Sequence, residues 1–591
     1  MSRKSTPIHV GIGRRGFLRA MPAAVGAGLA APALGQQTPA EQTQRVSKNA
    51  LEGAEQIAGL SFTDAEEDLI LASTASQGNV NDNRQHYDTI RNVPIPAETE
   101  PAFSFRPSLP RGSIPPGPSL GGDSPRDSRA SARNRTKPPA SLNELAFLPL
   151  AELAPLLESR AVSSIDLTRM YLDRLKRYDG TLKAVITLTE ELALAQAAEA
   201  DSEIGAGRYR GPLHGIPWGV KDLFATRGIR TTWGAKPYAQ QMIDQDATAV
   251  ARVRDAGAVL VAKLSTGELA YGDVWFGGRT LNPWNRDRGA GGSSAGPAAA
   301  TAAGLVGFSI GTDTGGSILG PAAGCGAVGL RPTYGRVSRY GVMPLRWTLD
   351  RVGPICRTVE DCAIVLEAIH GPDGHDETVV DLPFQWQPDA RITGLRIGYV
   401  EREFDEPSSG GRGEARRPST ERRALLRNAL DVFQQSGARV EPMSLPETHE
   451  RALFAILGAE AGAMFDDFVR SSAVAELARQ TATDRPTQLR SSRFIPAVEY
   501  IQAQRVRTLL IRQINTLFDR YDVLLAPSDG ESVRAANLTG HPTLTMKAGF
   551  VDRLPQAILI TGRLYEEATV LRAALAYERA TKWSTLHPDL P

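Results

Sequence analysis

The sequence predicts an α/β fold in which a sheet is covered by helices on both faces. Apolar, strand-like runs occur at residues 216–220, 258–264, 395–400 and 438–440 and alternate with segments of helical periodicity. This alternation is typical of a sheet packed between helices. A chain of 591 residues, 41% hydrophobic and 23% charged, is long enough for one large core with extensions.

Helical periodicity supports the layers that flank this sheet. The predicted helices span residues 164–178, 193–206, 247–255 and 421–435. In the first of them, Ile165, Tyr171 and Leu175 recur on one side, as an amphipathic helix requires. Because dense periodicity extends over residues 141–587, we expect this region to form a single domain.

The N-terminal segment predicts export from the cytoplasm. Arg14 and Arg15 are followed by Phe17 and Leu18 and then by an uncharged stretch rich in Ala and Gly that reaches Leu34. This order resembles a twin-arginine signal, which a receptor reads and which does not anchor the protein. We therefore expect a signal peptide over residues 1–35 and a periplasmic mature protein.

Two further segments precede the predicted domain. Residues 36–93 contain apolar positions at helical spacing, such as Leu51, Ile57 and Leu60, which predict a small helical extension. Residues 94–140 are rich in Pro, Ser, Arg and Gly and cannot bury much apolar surface, so we interpret them as a linker. No strongly apolar run of 18 residues predicts a membrane span.

Composition argues against several classes of function. The chain has 67 Lys and Arg residues and 66 Asp and Glu residues. The resulting net charge of +1 provides no positive electrostatic field that would attract nucleic acid. The cysteines, Cys325, Cys356 and Cys362, have no metal-binding spacing and are expected to be buried as small hydrophobic residues. With the histidines equally scattered, we predict neither a metal nor a cofactor.

Two glycine-rich segments each present a serine. Residues 289–296 are Gly-Ala-Gly-Gly-Ser-Ser-Ala-Gly, and residues 311–317 are Gly-Thr-Asp-Thr-Gly-Gly-Ser. Glycine allows the backbone to approach a ligand closely and to present N–H donors to it. These segments are therefore candidates for nucleophile and oxyanion loops.

Other interpretations of these loops are weaker. A phosphate-binding loop needs Gly-Lys-Ser/Thr at its end, but Pro297 follows the first segment. A nucleophile elbow centred on Ser294 needs a buried strand before it, whereas residues 282–288 are polar and rich in turn formers. For either segment alone, the default interpretation would be a glycine-rich loop with no catalytic role.

A third element upstream makes the pattern specific. Residues 211–222, Gly-Pro-Leu-His-Gly-Ile-Pro-Trp-Gly-Val-Lys-Asp, place a lysine at the end of an apolar run. Together with both serine segments and with residues 329–336 and 537–542, the chain resembles the amidase signature family over residues 141–587. The resemblance implies a single α/β/α domain with a mixed, twisted sheet and hydrolysis of carboxamide bonds.

The resemblance also implies a role for individual residues. Ser317 would be the nucleophile, Ser293 a bridging serine that follows a cis peptide bond, and Lys221 the terminal base. The oxyanion hole would consist of the backbone N–H groups of Thr314, Gly315, Gly316 and Ser317. Because a lysine normally has a pKa near 10.4, Lys221 must be desolvated to act as a base at neutral pH.

Some residues near these motifs receive other interpretations. Leu319, Ala295 and Arg331 stand where the family often has Arg, Gly and Lys, so local packing and substrate choice are expected to differ. Asp313 is expected to order the nucleophile loop by accepting from backbone N–H groups. His214 and His541 lie beside Gly or Pro in turns and are interpreted as structural, because a Ser-His mechanism also needs an orienting carboxylate.

Three functions remain open from the sequence. The leading one is an exported amidase that releases ammonia or an amine from a small amide, without nucleic acid or a membrane span; its oligomeric state is not readable. The second is the A subunit of a glutamyl-tRNA amidotransferase, which the export signal disfavours. The third is a non-catalytic binding module on the same fold. Aromatic residues within 233–238, 271–276 and 454–468 suggest an apolar substrate pocket.

Overall fold

The described residues cover most of the predicted domain. A computed structural model describes residues 45–72, 79–96, 99–102, 141–388, 391–405, 420–449, 453–471 and 473–590. The predicted signal peptide and residues 103–140 of the predicted linker lie outside them. The boundaries at 36–93, 94–140 and 141–587 stay predictions.

A mixed sheet of eleven strands forms the centre of the fold. In chain order the fifteen strands of the described residues are β1 Val185–Leu188, β2 Pro217–Lys221, β3 Val259–Leu264, β4 Val274–Trp275, β5 Gly278–Arg279, β6 Leu281–Asn282, β7 Asn285–Gly289, β8 Phe308–Asp313, β9 Val328–Arg331, β10 Arg351–Cys356, β11 Arg396–Val400, β12 Arg439–Met443, β13 Val523–Pro527, β14 Thr543–Val551 and β15 Leu554–Gly562. Strands β4 and β5 pair with each other, as do β6 and β7, in two separate two-stranded sheets, and the other eleven form the central sheet. The sheet order is β1-β3-β2-β8-β10-β9-β14-β15-β13-β11-β12. Strand β2 is parallel to both β3 and β8, whereas β8 and β10 are antiparallel.

The described part of the chain also contains eighteen α-helices. They are α1 Lys48–Ala58, α2 Asp64–Leu71, α3 Val80–Arg91, α4 Leu150–Glu158, α5 Ser164–Leu182, α6 Glu190–Gly205, α7 Thr248–Asp255, α8 Ala295–Ala302, α9 Leu319–Cys325, α10 Val359–Ile369, α11 Glu401–Asp405, α12 Thr420–Gln435, α13 Phe454–Met464, α14 Asp466–Arg470, α15 Arg485–Ser492, α16 Ala497–Arg520, α17 Ser532–Thr539 and α18 Glu567–Ala580. The predicted fold, a large mixed sheet flanked by helices, is confirmed.

The three N-terminal helices begin at side-chain caps. The hydroxyl of Thr63 accepts from the Glu66 N–H, and Glu66 in turn accepts from the Thr63 N–H, which forms a capping box at the start of α2. Glu66 also pairs with Arg490 of α15. Arg91 of α3 lies 2.6 Å from Glu499 of α16. These ion pairs connect the N-terminal helices to the later part of the chain.

Dense packing of small residues positions the segments that hold the predicted site. All eight residues of α8 are buried, and most of them are Ala, Gly or Pro. A Cβ at Gly296 would lie 2.3 Å from the Ser265 backbone nitrogen, so only glycine fits there. Strand β8 is also buried along its length. Among the described residues, no helix is long and apolar enough to cross a membrane.

Candidate active site

Three chain segments meet where β2 and β8 lie side by side. Lys221 is the last residue of β2, which pairs with β8 through Val220 and Ile310. Ser293 lies just before α8, and Ser317 lies in the loop between β8 and α9. The three predicted residues are thus delivered by a strand end and by two glycine-rich loops.

The Lys221 ammonium group is fully buried and bonded to hydroxyl groups. The side chain has no solvent exposure, and its Nζ donates to Ser293 Oγ and to Thr312 Oγ1, each at 2.8 Å. Burial lowers the pKa of Lys221 to about 7, against the opposing effect of the negative charges on Asp313 and Asp350. A substantial fraction of this amine is therefore neutral near pH 7.

Ser293 follows a cis peptide bond in a crowded loop. The bond joins Gly292 and Ser293, and a Cβ on Gly292 would lie 1.8 Å from the carbonyl oxygen of Gly272. Because any side chain at position 292 would clash with this oxygen, only glycine fits there. Ser294 points elsewhere: its Oγ donates to the Thr312 carbonyl at 3.1 Å. This bond to the backbone gives Ser294 a structural role and argues against the nucleophile-elbow interpretation.

The loop that carries Ser317 is held from both sides. The carbonyl oxygen of Ser317 accepts from the Ser294 N–H at 3.0 Å, and this bond joins the two serine loops. Beneath it, buried Asp313 accepts from the N–H groups of Gly316 and Ile318, each at 2.8 Å. Asp313 therefore orders this loop through backbone hydrogen bonds, as its position in the sequence predicts.

Charges around Asp313 keep it ionised. Burial raises the pKa of this carboxyl, but Arg331, whose Nη1 lies 3.5 Å from Asp313 Oδ1, and the backbone N–H groups outweigh that effect, so the pKa lies below its usual value. Asn537 Nδ2 donates to the same oxygen at 3.1 Å. Arg331 and Asn537 both come from segments that the resemblance included.

One of the four predicted oxyanion donors is already engaged. The Gly316 N–H donates to Asp313, and Gly316 adopts a φ of 104°, which favours glycine. The N–H groups of Thr314, Gly315 and Ser317 remain the candidates for binding an oxyanion. Sequence reasoning did not anticipate that Asp313 would occupy the third amide.

Sequence analysis missed two polar residues of the site. Thr312 bonds Lys221, and its position one residue before Asp313 on β8 turns its side chain to the opposite face of the strand. Asp350 accepts from the Thr314 hydroxyl at 2.6 Å. The alternation of side chains along β8 was a usable signal for Thr312, whereas Asp350 is distant in sequence and had none.

The remaining candidate polar residues have structural partners. His541 is buried, lies 2.8 Å from Thr539 Oγ1 through Nδ1 and stacks on Phe518 at 4.9 Å between ring centroids. Burial lowers the pKa of His541 to about 3. His214 accepts from the Arg210 N–H at 3.0 Å. All three cysteines are buried free thiols, and no metal-binding group of His, Cys, Asp or Glu occurs among the described residues.

A cavity of about 230 Å³ adjoins this site, but its aromatic residues differ from those suggested by the sequence. Thr312 and Thr314 line it, together with Tyr340 and Trp347. Of the aromatics suggested from the sequence, Trp233 packs on Tyr238 at 4.6 Å and Tyr238 packs on Phe468 at 5.5 Å. That group is a cluster of mutually packed rings.

Known proteins resemble the chain in sequence and fold. The amidase family model matches residues 166–533. The A subunit of the glutamyl-tRNA(Gln) amidotransferase of Moorella thermoacetica is 36% identical over 496 residues, covering 76% of this chain and 99% of that protein. Peptide amidase from Stenotrophomonas maltophilia has a TM-score of 0.65 at 31% identity, covering 74% of this chain and 97% of that one. A bacterial aryl acylamidase has a TM-score of 0.66 at 25% identity, covering 74% and 97%.

The predicted export is contradicted by these relatives. Several sequence relatives at 36–37% identity are named as subunits of a glutamyl-tRNA(Gln) amidotransferase, and charged tRNA is a cytoplasmic substrate. The twin-arginine signal and the periplasmic location were therefore wrong predictions. The order of Arg, Phe and Leu near an uncharged stretch is a short pattern with weak physical constraint, and residues 1–35 lie outside the described residues.

The family match covers more than half of the chain, and the fold and the glycine-rich loops agree with it. The relatives named above include amidases and one component of an amidotransferase, and the chemistry in each case acts on an amide. The chain therefore belongs to the amidase signature family and is an enzyme that hydrolyses carboxamide bonds.

Proposed function

We propose that the enzyme hydrolyses a small amide through an acyl-enzyme on Ser317, with Lys221 as the base and Ser293 as the proton relay. The observation that carries this proposal is the buried Lys221 amine held between Ser293 Oγ and Thr312 Oγ1, each at 2.8 Å. Neither partner in these two bonds is a carboxylate, so they leave the amine free to be neutral. A neutral amine can donate to Thr312 and accept a proton from Ser293.

Acylation requires a proton to leave the nucleophile. As Ser317 Oγ attacks the substrate carbonyl carbon, its proton passes to Ser293 Oγ, and the Ser293 proton passes to Lys221 Nζ. The tetrahedral intermediate then expels the nitrogen, which receives the proton back along the same path. Ammonia or an amine leaves, and the acyl group remains as an ester on Ser317.

Deacylation repeats the transfer with water as the nucleophile. Negative charge on the substrate oxygen develops in both halves, so backbone donors near Ser317 would stabilise both transition states. The N–H groups of Thr314, Gly315 and Ser317 are the proposed donors. Asp313 supports them indirectly, because its bonds to the Gly316 and Ile318 amides define the shape of the loop.

The second candidate is the A subunit of a glutamyl-tRNA(Gln) amidotransferase. It is favoured by 36% identity over 99% of the Moorella protein. The sequence-based argument against it relied on export, which the comparisons contradict. In this case the same site would release ammonia from an amide for a partner protein, whereas a free-standing amidase needs only its small-molecule substrate.

Turnover of matched amides and esters by the full chain tests the proposal. Wild type, Ser317→Ala and Lys221→Ala are compared on amides, anilides and the corresponding esters, and glutamine is included for the second candidate. We expect both variants to lose amide hydrolysis and Lys221→Ala to retain more ester hydrolysis, because an alcohol leaving group needs less help from a proton donor.

A fluorophosphonate probe provides a readout independent of the substrate. It should label wild type at Ser317 and leave Ser317→Ala unlabelled. Full amide turnover by Ser317→Ala would overturn the mechanism. Glutaminase activity that depends on added partner proteins would favour the second candidate.

A further inference from the structure

The cavity next to the site has its own chemical character. It encloses about 230 Å³ and reaches Thr312, which bonds Lys221, and Thr314 in the nucleophile loop. Leu223, Met343 and Leu345 contribute apolar side chains to the cavity wall. An apolar protein cavity of about 150 Å³ holds benzene, so this space admits one substituted ring.

Aromatic side chains line this space while remaining open to solvent. Trp347 is 46% exposed and Tyr340 is 38% exposed. The Tyr340 ring stacks on His375 with 4.2 Å between centroids and 17° between planes. The carbonyl oxygen of Trp347 accepts from the Tyr334 hydroxyl at 2.7 Å, so the backbone is held while the indole stays open. Exposed rings grouped at a cavity indicate a binding surface.

Arg339, Asp376 and Asp350 in the wall are already paired within the protein. Arg339 Nε donates to Asp376 at 2.8 Å, and Arg339 is held further by the backbone of Trp347. Asp350 accepts from Thr314 and from backbone N–H groups. An ionic substrate group would have to compete with these contacts, whereas an uncharged ring would not.

Two other charged residues of the wall do not change this conclusion. Arg351 is 3% exposed: its Nη2 donates to the Asn537 carbonyl at 2.5 Å, and its Nε and Nη1 have no hydrogen-bond partner among the described residues but are themselves buried. Glu377 also lines the cavity and is exposed to solvent. The accessible wall is therefore mainly apolar and aromatic.

We propose that this cavity binds an uncharged aromatic ring of the amide substrate, with Trp347 and Tyr340 as specificity-determining residues. This inference rests on the proposed function, because the ring site is useful only next to the loop that carries Ser317, which Thr314 connects to the cavity. A planar ring can stack on the indole and on the Tyr340–His375 pair, which a saturated ring of the same size does less well.

Hydrolysis of benzamide and of cyclohexanecarboxamide tests the preference. Wild type should have the higher kcat/KM for benzamide, and Trp347→Ala should reduce the benzamide to cyclohexanecarboxamide ratio about three- to tenfold. Trp347→Phe should restore most of the ratio because it keeps a ring. Leu192→Ala, which removes an exposed apolar side chain on α6, is the matched control and should leave the ratio unchanged.

A binding measurement separates this inference from the proposed mechanism. Benzamide is titrated into the Ser317→Ala variant while tryptophan fluorescence is recorded. The change in fluorescence on binding should be lost in the double variant that also carries Trp347→Phe. An unchanged ratio in Trp347→Ala, or equal affinity for both amides, would overturn the aromatic site. Lys221-dependent hydrolysis of acetamide, which has no ring, would leave the proposed mechanism standing in that case.

Discussion

Two fully buried lysines on neighbouring strands have opposite surroundings. Lys263 of β3 pairs with Asp222 at 3.0 Å and also donates to the Phe224 carbonyl and the Thr231 hydroxyl. Lys221 of β2 donates to Ser293 and Thr312. Burial lowers the pKa of both amines, but at Lys263 the adjacent Asp222 carboxylate opposes the shift directly.

This difference shows how one residue type can serve structure or chemistry. A buried cation next to a carboxylate is stabilised in its charged form, so its removal leaves an uncompensated buried charge. A buried amine bonded to hydroxyl groups can lose its proton without leaving such a charge. We therefore expect Lys263 to contribute to stability and Lys221 to contribute to catalysis.

The largest expected effect separates the two lysines by activity. Lys221→Met should reduce kcat/KM for amides by about 10²–10⁴-fold, the usual contribution of a positioned acid-base group. Steady-state kinetics with an amide substrate measures it. Retention of more than about a tenth of wild-type activity would exclude Lys221 as the base.

The next effect concerns stability. Lys263→Met should lower the free energy of unfolding by about 3–5 kcal/mol, because Asp222 would remain buried without its cation. Chemical denaturation monitored by circular dichroism measures this value. Lys221→Met is the matched control and should cost less than about 1.5 kcal/mol, since it replaces an amine by an apolar side chain of similar size. Equal losses in the two variants would remove the distinction.

The pH dependence of activity should follow Lys221. Because its pKa is lowered to about 7 in the folded protein, the amine takes up a proton as the pH falls through 7 and loses its capacity to act as a base. Amide kcat/KM should fall about tenfold per pH unit below 7 and level off above it. Unfolding measurements at each pH distinguish this titration from denaturation. A flat profile between about pH 5 and 8 would contradict the assignment.

The smallest effect compares the hydroxyl partners of the two amines. Thr312→Val removes one acceptor from Lys221 and should reduce amide kcat/KM by about tenfold or less, as expected for one hydrogen bond. Thr231→Val removes a partner of Lys263 and should change stability without changing kcat. If Thr231→Val lowered kcat and Thr312→Val did not, the assignment of Lys221 to catalysis and Lys263 to stability would be contradicted.

Much of the fold and the site was predictable because local residue patterns determine it. Alternating strand and helix periods predicted the α/β architecture, although the eleven-strand order depends on long-range pairing that no local pattern contains. The glycine-rich motifs marked Ser293 and Ser317, and the apolar run before Lys221 marked the third residue. The residue roles themselves stay predictions.

Other features depended on contacts between distant segments. Asp350 meets Thr314 across 36 positions, and Trp347 and Tyr340 form the cavity wall in place of the aromatic segments suggested from sequence. Periodicity identifies residues that are buried, but it does not say which rings pack together and which face a cavity.

The adjacent residues Lys221 and Asp222 show the division most clearly. By itself, the sequence determined that a lysine ends an apolar strand and that two glycine-rich loops present serines, because these properties depend on residue type and spacing. Only the tertiary structure decided that Asp222 pairs with Lys263 of the neighbouring strand. Successive side chains at the end of a strand point to opposite faces, so Lys221 meets Ser293 and Thr312 while the carboxylate next to it in sequence stabilises a different lysine.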